Sequence, residues 1–581
     1  MSIDIETYRL KAQEAIEYVF VKEYHNSLGI PMPIVKMLLP DDANYSTGQY
    51  YITIDKTWQI HLNFGKLPIS YHEFQNEVKV LTRHEIEHYM CCPFDVITHF
   101  RMLKRIRDVY YKHFSHLGIN IEYACGAISN QAADIIVDTK NYYRHSKETL
   151  KSEIDWIKIG ANISACPRHC KLMFLTKEAI WKEDLGINET DPEFLKIVHQ
   201  LADSFTKNGI EDKSSFLDKV EEYAEIFFKL YVEDQKNPQQ SSQQGSQQQS
   251  GQQGPQQQSG QQGPQQQSGQ QGSQQQSGQW GVGRPKDGDE HGNAFVFADP
   301  DKVKEAIEVL AEETSVEEFI DLLAIAGIIG MSDKQKGVLW FNVQSANIIP
   351  IVEFSNTGNK SSYTYPSVWR IGDPIEELDL MLTYMTSPRL IPGMTTKKWG
   401  YVSNDDNGTE SKQMDLLLVV DTSGSMGSAM KESANMHQAV LASYGILSYF
   451  ESTKSKVAFI GFSDKIDAYV DWSDKYDDVR ERLLTNGHGG TKFPISRIKS
   501  TLDVRSRDLV TVLITDGDLG NINESVSYFR DYLNDDNKLY IFLLGGSKSL
   551  HSYEPLKNIG AKIYNANNAN EFCDMVLTDM E

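Results

Sequence analysis

Two groups of residues in the 581-residue chain have the types and spacing for metal chemistry. The first is His84-Glu85-Ile86-Glu87-His88. On a helix, i,i+4 spacing puts both imidazoles on one face, where two Nε2 atoms can bind one Zn²⁺. Glu85 beside them could serve as general base toward a water at that metal. The second is Asp421-Thr422-Ser423-Gly424-Ser425, directly after the apolar run 416–420. Such a run reads as a buried parallel strand, and its C-terminal end is where open α/β sheets bind ligands. One carboxylate and two hydroxyls are hard oxygen donors, suited to Mg²⁺ or Mn²⁺. A single turn is too sparse for a site, and two later stretches can complete it. Gly489-Gly490-Thr491 offers a hydroxyl on a glycine-rich loop, and Asp516 follows a second apolar strand predicted over 509–514.

The histidines need a long helix to hold them. Ser70 and Glu73 form a capping box just after Pro68, and nothing breaks the pattern before Pro93. Upstream, 5–26 reads as an amphipathic helix, and 34–39, 50–54 and 58–64 as strands, the last two joined as a hairpin. A third zinc ligand is expected from a second helix over 123–144. There Asn130, Asp134 and Asp138 share one face. The two aspartates flank Ile135-Ile136-Val137 and follow two alanines, so their surroundings should face the core. A carboxylate in such surroundings needs a partner, and a metal is the natural one. Asp134 is the expected ligand, with His99, Glu122 and Asp138 as alternatives. Cys91-Cys92 reads as core packing, and the Cys166, His169, Cys170 cluster lacks the second pair of a zinc site. Tyr89, Tyr142, Tyr143 and His145 are candidates to steady an oxyanion, with aromatic packing the default for the tyrosines.

Length alone calls for several domains. A net charge of −23 argues against nucleic acid or an anionic membrane surface as the main partner. Six cysteines without regular spacing are no disulfide framework. With no signal-peptide pattern at the start and no run long enough to span a bilayer, a cytoplasmic protein is expected. Tandem QQGSQQQSG-type repeats over 243–278 have almost nothing to bury and read as a disordered tether. As a coil, about 45 such residues span roughly 35–40 Å. Beyond it, 301–311 and 316–329 read as helices, 337–354 as strand-like, and 376–384 as a helix. Strands and helices then alternate to the C-terminus, as in a doubly wound sheet: strands 414–420, 457–462, 509–514 and 539–544, helices 428–450, 476–484 and 524–533.

The DxSxS turn, the lone Thr491 and the strand-end Asp516, in that order, resemble a von Willebrand factor A (VWA) domain over roughly 412–581. The resemblance implies a metal-ion-dependent adhesion site. Its ligands would be Asp421, Ser423, Ser425, Thr491 and Asp516, with one position left for an acidic group on a partner. The order sheet, HExxH helix, second helix is similar to that of zincin metallopeptidases. An acidic ligand followed four residues later by an Asp that orients a ligand histidine resembles the gluzincins. Asp134 would be the ligand and Asp138 the orienting residue, with Asp standing where that family has Glu. The two ends together resemble prokaryotic metallopeptidase–VWA proteins, a class associated with MoxR-type AAA+ ATPases. The expected organisation is a multidomain chain: an α+β zincin-like domain (1–233), a Gln/Ser/Gly linker (234–294), a mixed helical/β connecting region (295–405) and an α/β doubly wound, Rossmann-like VWA domain (406–581). The implied function is a zinc peptidase whose VWA domain recruits a substrate or an ATPase partner through Mg²⁺. The alternative is a VWA adaptor for such an ATPase with an idle or structural zincin domain.

Overall fold

The structure is a computed structural model. It describes residues 5–28, 31–39, 50–54, 59–64, 71–159, 163–236, 300–328, 331–348, 364–368, 397–401, 414–505, 509–517, 519–535, 537–544 and 551–566. The chain forms two compact units, residues 1–314 with 318–330, and residues 315–317 with 331–581. Ser70, most of the tether and the predicted helix 376–384 lie outside the described residues. No helix among the described residues is long and apolar enough to cross a membrane.

The first unit opens with α1 (Ile5–Glu17), continued by a π-helical stretch over Tyr18–Glu23. Three strands follow, β1 (Ile34–Met37), β2 (Tyr50–Ile54) and β3 (Gln59–Phe64), in the order β1-β3-β2. β2 and β3 pair antiparallel as the expected hairpin, and β1 runs parallel to β3. Ile60 and Leu62, two apart on β3, are fully buried with Ala12 and Ile16 of α1. Against them packs α2 (Tyr71–Met90), whose Phe74, Val78 and Ile86 share one face at helical spacing. That apolar stripe leaves the opposite face of α2 for polar work.

Next come α3 (Val96–Val109), capped by the Asp95 carboxylate on the Thr98 amide, and α4 (Ile121–Ile159). α4 runs well past the predicted 144 and bends at His145, whose φ of −135° and ψ of 48° are not helical. α5 (Arg168–Trp181), α6 (Pro192–Thr206) and α7 (Phe216–Lys236) complete the helical layer. Two helices beyond the tether return to this unit. α8 (Pro300–Glu313) packs on α3, and α9 (Val316–Ile325) follows it. Arg107 of α3 meets Glu318 at 3.2 Å and Asp321 at 2.8 Å.

In the second unit, the predicted strand-like stretch from 337 is corrected: it is a helix, α10 (Asp333–Ile348). Val338, Trp340 and Phe341 have strand propensity, but burial recurs at 336–337, 340–341 and 345, which is helical spacing. Gly337 sits against the tip of the Met430 side chain, a close contact for a glycine inside a helix. β4 (Thr364–Val368) and β5 (Lys397–Tyr401) pair as an antiparallel ribbon.

The rest is a three-layer α/β arrangement: β6 (Asp415–Asp421), α11 (Asn435–Ser452), β7 (Val457–Phe462), β8 (Ile466–Ser473), α12 (Tyr476–Leu483), α13 (Ile495–Leu502), β9 (Leu509–Thr515), α14 (Val526–Asn534), β10 (Lys538–Leu544) and β11 (Lys562–Ala566). The sheet order is β11-β10-β9-β6-β7-β8, parallel throughout except for β8, which runs antiparallel to β7. The predicted helix 428–450 begins only at Asn435, after a short 3₁₀ turn at Gly424–Met426. β8 and β11, both at edges, carry weaker apolar patterns and were not expected from sequence. From β6 the chain moves to β7 and β8 on one side, then to β9, β10 and β11 on the other. The crevice between the C-terminal ends of β6 and β9 is therefore the topological switch point, where such sheets bind ligands.

Leu417 lies on the central strand β6 and is fully buried. Leu417→Ala should lower the unfolding free energy of the second unit by about 2–5 kcal/mol, the cost of a core cavity. Urea denaturation followed by tyrosine and tryptophan fluorescence measures it, and a change under about 1 kcal/mol would contradict this core.

Candidate metal centre

α2 and α4 meet through polar side chains. Arg83 pairs with Glu148, His84 with Asp138, Glu87 with Lys140 and Arg144, and His88 with Asp134. Within each row of residues four apart, partner numbers on α4 fall as those on α2 rise, from 148 to 144 and 140 between Arg83 and Glu87 and from 138 to 134 between His84 and His88, so the helices run antiparallel. Four residues rise about 6 Å on each helix, so His84 and His88 on one match Asp138 and Asp134 on the other.

At the centre three ligand-type atoms converge. His84 Nε2 and His88 Nε2 are 3.1 Å apart, and Asp134 Oδ1 lies 3.5 Å from the first and 3.3 Å from the second. Zn–N and Zn–O bonds of 2.0–2.1 Å in a tetrahedron place ligand atoms about 3.3 Å from one another. The observed triangle matches that spacing. Among the described residues this is the one group of three or more His, Cys, Asp or Glu side chains placed to share a metal.

The outer nitrogens explain why the inner ones face the site. His84 Nδ1 lies 2.7 Å from Asp138 Oδ1, and His88 Nδ1 lies 2.8 Å from the Cys92 carbonyl. Both partners are acceptors, so each Nδ1 is the donor there, and Nε2 is the nitrogen that each ring turns inward. Asp134 Oδ1 is buried without a hydrogen-bond partner, while its Oδ2 accepts from Asn130 Nδ2 at 3.1 Å. Three ligand-type atoms thus face one point, where a metal ion would take the place of the proton shared between the two Nε2 atoms. Burial pulls the His84 imidazole down, but Asp138 and Asp134 outweigh it and raise its pKa to about 9. Burial alone would raise Asp138, yet Lys177 and His84 hold its carboxyl well below the ordinary range. His88 and His84 likewise keep Asp134 below its usual value against burial. The donor set of two imidazoles and one carboxylate suits Zn²⁺.

Of the alternative ligands, Asp138 has its two oxygens engaged by His84 and Lys177. Glu122 lies in the first turn of α4, about 18 Å along the helix from Asp134. His99 is buried on α3 beside Phe100 and is not part of the triangle. Glu85 is 1% exposed, with no hydrogen bond to its carboxylate from the described residues. Glu87, two residues on, does different work: it holds Lys140 at 2.9 Å, Arg144 at 2.8 Å and the Tyr24 hydroxyl at 3.0 Å. Tyr142 stacks on Trp181 and donates to Glu183, Tyr143 is exposed, and His145 lies at the α4 bend, 3.9 Å from Glu23. Tyr89 packs against the core of α1 and β3. His169 pairs with Asp234 at 2.8 Å, in place of any site with Cys166 and Cys170.

Sequence reasoning missed Lys177, Glu153 and the Cys92 carbonyl. A backbone acceptor leaves no mark in sequence. Lys177 left one signal, a lysine just after the apolar run 172–175 of α5.

In the second unit, Asp421 ends β6 and Asp516 directly follows β9, so the switch point brings them together. The Ser425 hydroxyl donates to Asp516 Oδ1 at 2.9 Å and lies 3.2 Å from Ser423 Oγ. Asp421 is buried and accepts from the Ser423 amide at 2.9 Å and the Thr515 hydroxyl at 2.6 Å. Asn435, at the start of α11, donates to Asp516 Oδ2 at 3.0 Å. Burial, with Asp516 nearby, raises Asp421 above its usual value despite these hydrogen bonds. Thr491 is half-buried, two residues past Gly489, whose carbonyl accepts from the Gly424 amide at 3.3 Å, so its loop lies against the turn. A Cβ on Gly487 would lie 2.5 Å from the Thr422 carbonyl and against the Asp467 carboxylate, which explains a glycine there. All donors here are oxygens, the set for a hard cation. The cluster grades from buried Asp421 to exposed Ser425, so a partner could reach it.

No protein-family model matches the sequence, and no curated protein matches it. Solved structures similar to it include the conserved hypothetical protein BatB from Bacteroides thetaiotaomicron. It shows 13% identity and a TM-score of 0.25, over 29% of this chain and 98% of that one. Another is an uncharacterised membrane-spanning protein from Vibrio fischeri, with 18% identity and a TM-score of 0.13, over 28% and 96% of the two chains. TM-scores this low carry no functional conclusion.

The two glutamates of the motif should respond oppositely. Glu87→Ala leaves the buried Lys140 ammonium with Glu211 alone, and should cost on the order of 3–5 kcal/mol in urea denaturation. Glu85→Gln removes a buried carboxylate that has no hydrogen-bond partner among the described residues, and should leave stability unchanged or raised.

Proposed function

We propose that the first unit is a zinc-dependent hydrolase of peptide bonds, with His84, His88 and Asp134 as ligands and Glu85 as general base. The observation that carries it is the 3.1–3.5 Å triangle of two Nε2 atoms and one carboxylate oxygen, next to a buried glutamate with no hydrogen-bond partner among the described residues. Zinc, when bound, would polarise a peptide carbonyl and acidify a water. The chain's own groups do the rest. Asp138 and the Cys92 carbonyl keep the Nδ1 protons in place, so both rings present lone pairs. Glu85 takes the proton from the attacking water and returns it to the leaving amine. In this respect the unit is similar to the zincins, with the shorter Asp134 as third ligand.

The second unit, in this proposal, is a VWA domain. Asp421, Ser423, Ser425, Thr491 and Asp516 would hold Mg²⁺ or Mn²⁺ and accept an acidic side chain of a protein partner. The resemblance implies a MoxR-type ATPase or a substrate as that partner. Support comes from the placement of Asp421 and Asp516 at the switch point and from the exposure of Ser425.

One observation favours the adaptor alternative: His84, His88 and Asp134 are each under a tenth exposed. Glu85→Gln in the full-length protein separates the two. For a hydrolase, elemental analysis should find about one zinc per chain in wild type and in Glu85→Gln, and none in His84→Ala or His88→Ala. Cleavage of unfolded casein should fall at least about 100-fold in Glu85→Gln, the contribution of a general base. Zinc retained with equal, background cleavage in both proteins would support the adaptor. Wild type without zinc would remove the metal site altogether.

A further inference from the structure

Lys177 of α5 carries a charge in nearly complete isolation from solvent, its side chain 2% exposed. An ammonium persists there only if carboxylates surround it. Two do, both from α4 on either side of its bend: Asp138 Oδ2 at 2.5 Å and Glu153 Oε1 at 3.0 Å. The other oxygen of Asp138 accepts from His84 Nδ1 at 2.7 Å. Each oxygen of this carboxylate therefore has a single assignment, one toward Lys177 and one toward the histidine.

We propose that Lys177 is a positioning residue of the metal site: by fixing Asp138 Oδ2 it aims Oδ1 at His84 Nδ1 and keeps the His84 Nε2 lone pair on the metal point. Without the ammonium, Asp138 is free to rotate about its Cβ–Cγ bond, and His84 loses the acceptor that sets its tautomer and ring orientation. The chain Glu153–Lys177–Asp138–His84 then links the α4 bend and α5 to a ligand they do not touch. The proposal rests on the zinc-site assignment but not on peptidase activity, so binding alone tests it.

Position and charge act with opposite signs. A lysine near the site repels a cation through space, so removing its charge without moving Asp138 would tighten zinc binding. Removing a positioning partner weakens it, by about 10–100-fold for a group that orients a metal ligand. The experiment is chelator competition for Zn²⁺ in the full-length protein at constant pH, comparing wild type, Lys177→Met, Asp138→Asn and the double variant, each checked for folding by circular dichroism.

The expected result is a 10–100-fold weaker site in Lys177→Met. In the Asp138→Asn background the same change should add less than about twofold, because Lys177 acts through Asp138. Unchanged or tighter binding in Lys177→Met overturns the proposal, as do losses that add independently. If Lys177→Met does not fold, Glu153→Gln removes the second anchor of the ammonium while leaving Asp138 its donor. A weakening of about threefold or more supports the proposal there, and unchanged affinity overturns it. Wild type that binds no zinc overturns the metal-site assignment and the role of Lys177 with it, whereas a binding wild type with an unaffected Lys177→Met overturns only the role of Lys177.

Discussion

Two imidazole nitrogens and one carboxylate oxygen converge on a single buried point, and much of the first unit is arranged around holding them there. The Nε2 atoms of His84 and His88 and the Asp134 Oδ1 would separate if their rings could turn. They are held from behind, by the Asp138 carboxylate and the Cys92 carbonyl, and from the side by Asn130. Were a cation to enter, as proposed above, it would offset the electrostatic cost of this site, and metal binding would then be linked to native stability.

The same logic extends outward as a chain of alternating charge. Asp138 answers His84, Lys177 answers Asp138, and Glu153 answers Lys177. On the neighbouring turn, Glu87 gathers Lys140, Arg144 and Tyr24, and Arg83 joins Glu23 to Glu148. The buried members, Arg83, Glu87, Asp138, Lys140 and Lys177, would not be stable as charges alone at their depth. Together they set the register of α2 on α4, because sliding one helix by a turn would break every pair at once.

The second unit solves its problem through topology. A parallel sheet covered on both faces has apolar strands, visible in the complete burial of residues 416–420, and leaves polar chemistry to the strand ends. Reversal of strand order between β6 and β9 opens the crevice that Asp421 and Asp516 enter from separate strands. Each carboxylate has its own donors, the Ser425 hydroxyl and Asn435 amide for Asp516 and the Ser423 amide and Thr515 hydroxyl for Asp421. The two candidate centres differ accordingly, one nearly buried with nitrogen ligands, the other reaching the surface with oxygens only.

Local order in the chain was enough to locate the helix with both histidines, the hairpin before it, most of the alternating strands and helices of the second unit, and the residues that meet at both candidate centres. These follow from spacing, since i,i+4 residues share a helix face and an apolar run ending in DxSxS ends a strand. The sequence also narrowed the third ligand to a few residues, because apolar neighbours at 135–137 marked where a carboxylate would be buried. It misread 337–348, where propensity and burial period disagreed and packing of the buried stripe prevailed. Only the tertiary structure selected Asp134 over Asp138, because that choice depends on which carboxylate faces Nε2 and which faces Nδ1, a matter of about one helical turn between two packed helices. It alone revealed Lys177, Glu153 and the Cys92 carbonyl. Their contribution comes from contacts between segments far apart in the chain, or from backbone atoms that every residue has, and neither leaves a periodic trace in the sequence.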